Sequence, residues 1–351
     1  MPAIDPSKAK STHLITYGTT FYAQALDPTT GKLYVAGDDT VVSLFDLLAQ
    51  KKEPLSKWTK HDNYISTLSL RKTGDKTELV SGSFDRSLIW WDTTKGEPTR
   101  VIADAHQGWI RDSVFTPSGD RLITVGDDML AKVWDANSGK LIRTLDGHPK
   151  ETPQFHVTAL YDVAISADGK WLATGDRIGE VRVWELDTGK EAGRFSVPTV
   201  YTYDDRQRKR SLGGIRALAF SRDGKYLAVG GMAQVGNVDG LAGKVHLEIW
   251  DWQKPQAKVI TGAENHVGMI ASLQFHPTEP WLVGVGGGGD NAFIAFWNIK
   301  DLANLPPLEK KPTLPTNRHK ANGFYHRAEW TPDGKAVVVA GYHLMQQWTV
   351  G

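Results

Sequence analysis

The residue types that could do chemistry come as a set that occurs twice. His61, Ser81, Asp85 and Trp91 follow one another at offsets of 20, 4 and 6; His106, Thr124, Asp128 and Trp134 follow at 18, 4 and 6. Histidine, a hydroxyl and aspartate are the parts of a nucleophilic triad, in which the imidazole takes the hydroxyl proton and the carboxylate orients the imidazole. With tryptophan added, the same parts make a buried hydrogen-bonded chain inside a core, because buried polar groups need partners. Two copies in one chain favour the scaffold use over catalysis.

Other constellations are weaker. The run GVGGGGDN, residues 284–291, has the glycines of a phosphate loop but no Lys and Ser/Thr after them; Asp290 and a strand, AFIAFW, follow, so a turn is the better reading. The basic runs DDRQRKR (204–210) and EKKPTLPTNRHK (309–320) suit either nucleic acid or plain solvation, and solvation is the commoner use. His319, His326 and His343 are scattered without metal-ligand spacing, and there is no cysteine. No metal and no cofactor are therefore expected. With 41 Lys and Arg against 40 Asp and Glu, the balance calls for neither nucleic acid nor an acidic membrane.

The elements that must position these residues repeat. ISTLSLRKTGDKTELVSGSFDRSLIWWD from Ile65, IRDSVFTPSGDRLITVGDDMLAKVWD from Ile110, LYDVAISADGKWLATGDRIGEVRVWE from Leu160 and IRALAFSRDGKYLAVGG from Ile215 share one plan. Each is a run of short strands with period-two alternation, separated by glycine turns. Phe45, Trp91, Trp134, Trp184, Trp250, Trp297 and Trp348 close the third strands, and a fourth follows, as in KLIRTLDG. A four-stranded sheet cannot bury both faces alone, so the copies must stack.

With WWD at residues 90–92 and VWD at 133–135, the chain resembles the WD-repeat family, over roughly residues 12–351. The resemblance implies an all-β, seven-bladed β-propeller of four-stranded antiparallel blades. The expected domain is single, 1–351, with blade cores at about 19–58, 61–104, 106–146, 156–198, 212–261, 266–305 and 321–351. The N-terminal strand, residues 11–17, is expected to close the last blade, because HLMQQWTVG (343–351) ends at a third strand. It also implies that the two His/hydroxyl/Asp/Trp sets are structural tetrads inside blades two and three. Blade four departs from the pattern, with His156, Thr174 and Trp184 but Ile178 in place of Asp. Blade six has Gly284 in place of the hydroxyl between His266 and Trp297, and Val35, Val229 and Val339 stand there in blades one, five and seven.

Function is read from where extra residues fall. The turns on one rim are short: TPSGD, SADGK, SRDGK, TPDGK. Extra length lies in the blade-to-blade connections 148–157, 199–213 and 306–322 and in the loops 232–243 and 286–290. Those belong to the opposite, top rim, where members of the family commonly bind partners, and loops carry function on a rigid scaffold. The residues placed there by resemblance are Tyr64, Phe84, Trp109, Asp127, Arg177, Arg206, Arg208, Arg210, Met269 and Phe324. Acidic residues (Asp38, Asp39, Asp62, Asp104) gather towards the first blades and basic ones towards the last. The expected protein is a non-catalytic, monomeric scaffold that takes a protein or peptide partner, with nucleic acid disfavoured and no membrane span. Two alternatives stand beside it: a hydrolase or lactonase with a channel-mouth site, and a single-strand nucleic-acid binder. Lys8 and Lys10 before Ala23-Gln24-Ala25 imitate a secretion signal but enclose no apolar block, so a cytoplasmic location is expected. The Asp-Gly-Lys turns look like bacterial copies of the repeat.

Overall fold

The structure, a computed structural model, describes residues 4–74, 76–205, 209–237, 242–254, 256–260, 266–288, 291–302 and 316–351. The fold is all-β and of the propeller class. Its strands make six blade sheets among the described residues, five of four strands and one of six, with a separate two-stranded hairpin. Sheet 1, the six-stranded one, runs in the order Tyr325–Trp330, Ala336–Thr349, Lys10–Leu26, Leu33–Gly37, Val41–Phe45 and Ser56–Thr59. Sheets 2 to 6 begin with the inner strands Ile65–Thr73, Ile110–Phe115, Leu160–Ile165, Ile215–Phe220 and Met269–Phe275. The hairpin pairs Tyr201–Asp204 with Arg210–Gly213.

Seven separate four-stranded blades were expected, and that count is wrong. The segments assigned to the first and last blades, with the closing strand, are one sheet. Residues 10–20 do pair with 342–349, from Lys10↔Thr349 to Thr20↔Tyr342, but this pairing fuses two groups of strands instead of closing a separate blade. The cause is strand length. Lys10–Leu26 and Ala336–Thr349 run unbroken for 17 and 14 residues, and the change of partner appears only as register shifts between Thr16 and Thr20 and between Phe21 and Ala23. A shift of this kind bends a strand without a turn, so no Gly-Asp punctuation announces it.

Two further expectations move. The fourth strand of sheet 6 is Thr316–Asn322, which lies inside the segment 306–322 expected to be a connection. The expected loops 232–243 and 286–290 are largely strand, with Asn237 paired to Ala242 and Gly288 to Asn291.

The chain divides into two compact units. The first, residues up to Asp146 with His326–Gly351, holds sheets 1 to 3. The two halves of sheet 1 share a core that includes Ile15, Phe21, Phe45 and Met345. Sheets 1 and 2 bury Trp58, Ile65 and Trp91 between them, and sheets 2 and 3 bury Trp90, Ile110 and Trp134. The second unit, Gly147–Tyr325, holds sheets 4 to 6 and the hairpin. Its cores gather around Val183, Ile215 and Trp250, and around Leu247, Ile270 and Trp297. Each inner face follows the period-two pattern. The tight turns rest on glycines at positive φ, as at Gly169, where Asp168 caps the following amide of Lys170 at 3.0 Å.

Candidate interaction face

In sheet 2, the Trp91 indole N–H donates to Ser81 Oγ at 2.8 Å, Ser81 Oγ donates to His61 Nε2 at 2.7 Å, and His61 Nδ1–H donates to Asp85 at 2.7 Å. Asp85 also accepts from Ser87 and from the Asp62 amide, at 3.0 Å. Burial pushes this carboxyl up, but His61 and Ser87 outweigh it and hold it well below the usual carboxylate range. Sheet 3 repeats the chain: Trp134 to Thr124 at 2.9 Å, Thr124 with His106 at 2.7 Å, and His106 to Asp128 at 2.9 Å. Burial lowers the His106 pKa, against the pull of Asp128. Ser81 and Thr124 are wholly buried and bonded on both sides, so neither hydroxyl can meet a substrate.

Sheet 4 holds a third such chain, which the sequence reading missed. Its histidine is His148, not His156, and its acid is Asp176, not a residue at position 178. His148 bonds Asp176 at 2.9 Å and Thr174 at 2.8 Å, and Trp184 donates to Thr174 at 3.0 Å. His156 is exposed beside Tyr203. The signal was present as Gly147-His148, eight residues upstream of the histidine chosen, and an Asp only two residues after the hydroxyl. Sheet 5 solves the same problem differently. Val229 removes the hydroxyl, and Glu248, paired with it across the strands, takes the Trp250 N–H at 2.8 Å and bonds His246 at 2.8 Å. In sheet 6 Gly284 stands where the hydroxyl would be, and His266 Nε2 and Trp297 Nε1 have no hydrogen-bond partner among the described residues. Burial, with Arg318 and Lys320 nearby, pushes His266 down to about 4.

The ends of these sheets carry the expected interaction residues. The Phe84 amide donates to Tyr64 O at 2.9 Å, that of Asp127 to Trp109 O at 2.9 Å and that of Arg177 to Ala159 O at 3.0 Å. The same backbone link therefore sets these residues at the same end of each sheet. In the first unit they form a row. Tyr22 lies 6.0 Å from Tyr64, Tyr64 lies 6.0 Å from Phe84, and Phe84 stacks on Trp109 at 4.3 Å and 7°. Arg111 lies over Phe84 and Trp109 and is held by Asp127 through bonds of 2.6 and 2.8 Å.

In the second unit, Arg216 and Arg177 sit over Tyr161 at 3.8 and 5.4 Å, and Arg177 donates to the Tyr161 hydroxyl at 2.7 Å. Nearby, the 148–157 connection packs on the hairpin through Gln154 and Tyr201 and leaves Phe155 84% exposed. Met269 is packed against Met232 and Val235, and Phe324 is partly buried. Arg206 and Arg208 lie outside the described residues, as does the side chain of Arg210. Tyr22, Arg111, Tyr161 and Arg216 were not singled out from sequence. Arg111, Tyr161 and Arg216 follow the first buried apolar residue of an inner strand, and Tyr22 follows buried Phe21, positions that period-two alternation exposes.

Below this row the inner strands of the first unit carry a polar seam. Arg327 donates to Asp112 at 2.7 Å and to the Tyr22 carbonyl at 3.2 Å. Glu329 accepts from the Leu26 amide at 3.1 Å. Burial pushes the Glu329 carboxyl up to about 7, although Leu26, Gln24 and Arg327 pull the other way.

A family model described as "WD domain, G-beta repeat" matches residues 52–92, 96–135 and 139–185, each of which holds one complete polar chain and the fourth strand of the preceding sheet. These three segments are WD repeats, and they support a WD-repeat family for the chain. It is 22% identical to the nuclear distribution protein nudF of Aspergillus niger over 80% of this chain and 59% of that protein. It is 25% identical to the nuclear distribution protein PAC1 of Coccidioides posadasii over 65% and 48%, and 22% identical to the WD repeat-containing protein SL1-17 of Schistosoma mansoni over 69% and 68%. The chain thus spans about half the length of the two nuclear distribution proteins. All three relatives are eukaryotic, so the bacterial reading of the Asp-Gly-Lys turns gains no support. Among the described residues no helix is long and apolar enough to cross a membrane, and no three His, Asp or Glu are set to hold a metal.

Proposed function

We propose that this chain is a non-catalytic scaffold that binds a protein or peptide partner at the ends of sheets 1 to 3, where Tyr64, Phe84 and Trp109 sit. The observation that carries the reading is the aromatic row of sheets 1 to 3. Tyr64 and Trp109 are 42% and 44% exposed although each is large and apolar, and aromatic and arginine residues are the usual anchors of interfaces. The buried polar chains support the scaffold half of the proposal, since they satisfy groups inside sheets and offer no reachable nucleophile. Affinity capture from the native cell extract tests it. Trp109→Ala and Tyr64→Ala should release the partner, while Lys72→Glu with Lys76→Glu, at the other end of sheet 2, should retain it. Loss of the partner in the second variant alone would refute the assignment.

A further inference from the structure

We propose that the aromatic row receives a basic peptide segment, whose arginine or lysine side chains stack on Tyr64 and Trp109 while the flanking aspartates hold the remaining charge. This rests on the interaction reading above and adds the partner's chemistry.

The faces of aromatic rings are electronegative and attract cations, arginine more often than lysine. The row already shows the geometry. The Arg111 guanidinium lies 5.1 Å from the Phe84 centroid and 4.9 Å from that of Trp109, and Asp127 holds it from the side with two bonds. A guanidinium–carboxylate pair belonging to the chain itself thus covers one side of the Phe84–Trp109 stack, and Trp109 is still 44% exposed. At the other end of the row, Tyr22 and Tyr64 lie 6.0 Å apart at a tilt of 37°, and no Lys or Arg among the described residues stacks over either ring. His326 packs edge-on to Tyr22 at 5.2 Å, and burial with Arg327 beside it pushes its imidazole down to about 4, so it brings no charge at neutral pH.

Charge selects the occupant. Asp38, Asp39, Asp62, Asp104 and Asp127 lie in the turns and loops next to the row's residues, against Lys60, Arg86, Arg111 and, beneath Tyr22, Arg327. Asp62 is exposed, and Asp104 shares only a 3.3 Å solvent-exposed contact with Arg86. The Asp38 carboxylate acts on Tyr22 itself: together with burial it raises that phenol's pKa. A single nucleic-acid strand also stacks on aromatic rows, but its phosphates need a cationic track, and here carboxylates outnumber cations. A basic peptide satisfies the rings and the aspartates together.

The test uses fluorescence anisotropy of the full chain with three labelled probes: a short Gly-Arg repeat peptide, the matching Gly-Glu peptide and an oligo-dT strand. The Gly-Arg peptide should bind, more weakly as salt rises. Tyr64→Ala and Trp109→Ala should each weaken it roughly three- to thirtyfold, and Trp109→Phe should restore most of the loss. Asp62→Lys with Asp104→Lys should weaken it and flatten its salt dependence. Melting temperatures of the variants show that each is folded. Tighter binding of the Gly-Glu peptide or the oligonucleotide overturns the proposal, as does Gly-Arg binding that is absent or the same in every variant. If capture returns a partner that Trp109→Ala releases while the Gly-Arg peptide fails, the basic-segment proposal falls and the scaffold reading stands. If capture returns nothing that these variants release, the scaffold reading itself falls.

Discussion

Replacing Glu329 with Gln should make the protein more stable at alkaline pH and leave it unchanged in acid. In the folded chain burial raises this carboxyl to about 7, from an ordinary 4.5. An acid whose pKa is raised by folding gives the folded state its greater proton affinity. That contribution is fully present below about 4.5 and is lost as pH rises through about 7. Each tenfold difference in proton affinity is worth about 1.4 kcal/mol, so the whole gap costs the wild type up to about 3 kcal/mol at pH 8 relative to acid. Glutamine keeps the shape and still accepts from the Leu26 amide through its carbonyl, but has no charge to bury. Urea denaturation of both proteins from pH 5 to 9 measures the effect. The two stabilities should converge towards pH 5, and the variant should lead by up to about 3 kcal/mol at pH 8. Parallel pH profiles would show that Glu329 is solvated in the folded chain, and the description of the inner seam as a desolvated site would be wrong.

Other perturbations test the remaining elements. His148→Ala leaves Asp176 without its ring donor and should cost about 1–3 kcal/mol by chemical denaturation, whereas His156→Ala, at an exposed side chain, should stay within about 0.5 kcal/mol; the reverse order would return the sheet 4 chain to His156. Arg327→Met removes the cation from Asp112, also bonded by Thr67, and should cost about 1–3 kcal/mol; an unchanged denaturation midpoint would make that ion pair incidental. Removing residues up to Thr16 exposes the edge of Ala336–Thr349, and light scattering should show aggregation. A monodisperse truncation with the native melting temperature would mean that this pairing is dispensable.

What was legible in the sequence was the module: period-two strands, Gly turns and a tryptophan at the third strand. These depend on neighbours in the chain. The blade count was not legible, because it was decided by two long strands whose change of partner has no turn residue. Gly18 is the only glycine in Lys10–Leu26, and the bends are register shifts held by packing from Phe21 and Met345. The polar chains were half legible. A fixed offset of four from hydroxyl to Asp found sheets 2 and 3. It failed in sheet 4, where Asp176 stands within the strand and caps the amides of Ile178 and Glu180. It failed also in sheet 5, where the acid came from the facing strand. Arg111 and Tyr22 were not legible, because the residue at their position differs from sheet to sheet while the motif residues repeat.

The buried chains and the exposed row are parts of one construction. Asp85 ends the sheet 2 chain, and the same carboxylate accepts the Asp62 amide, in the loop that delivers Tyr64. Asp128 ends the sheet 3 chain and accepts the Gln107 amide, in the loop that delivers Trp109. Each indole, hydroxyl, imidazole and carboxylate in line therefore ties the tryptophan in the core of a sheet to the loop at its end. A ring that stacks on a partner loses affinity if it must be ordered on binding. Here Tyr64 and Trp109 stand on loops already fixed from below, while their side chains stay in water. Sheets 2 and 3 both hold this polar line while the residues above it differ, so on the proposed reading rigidity is separated from recognition. Sheet 6, whose His266 and Trp297 nitrogens have no hydroxyl to join them, lacks that tether at Gly284.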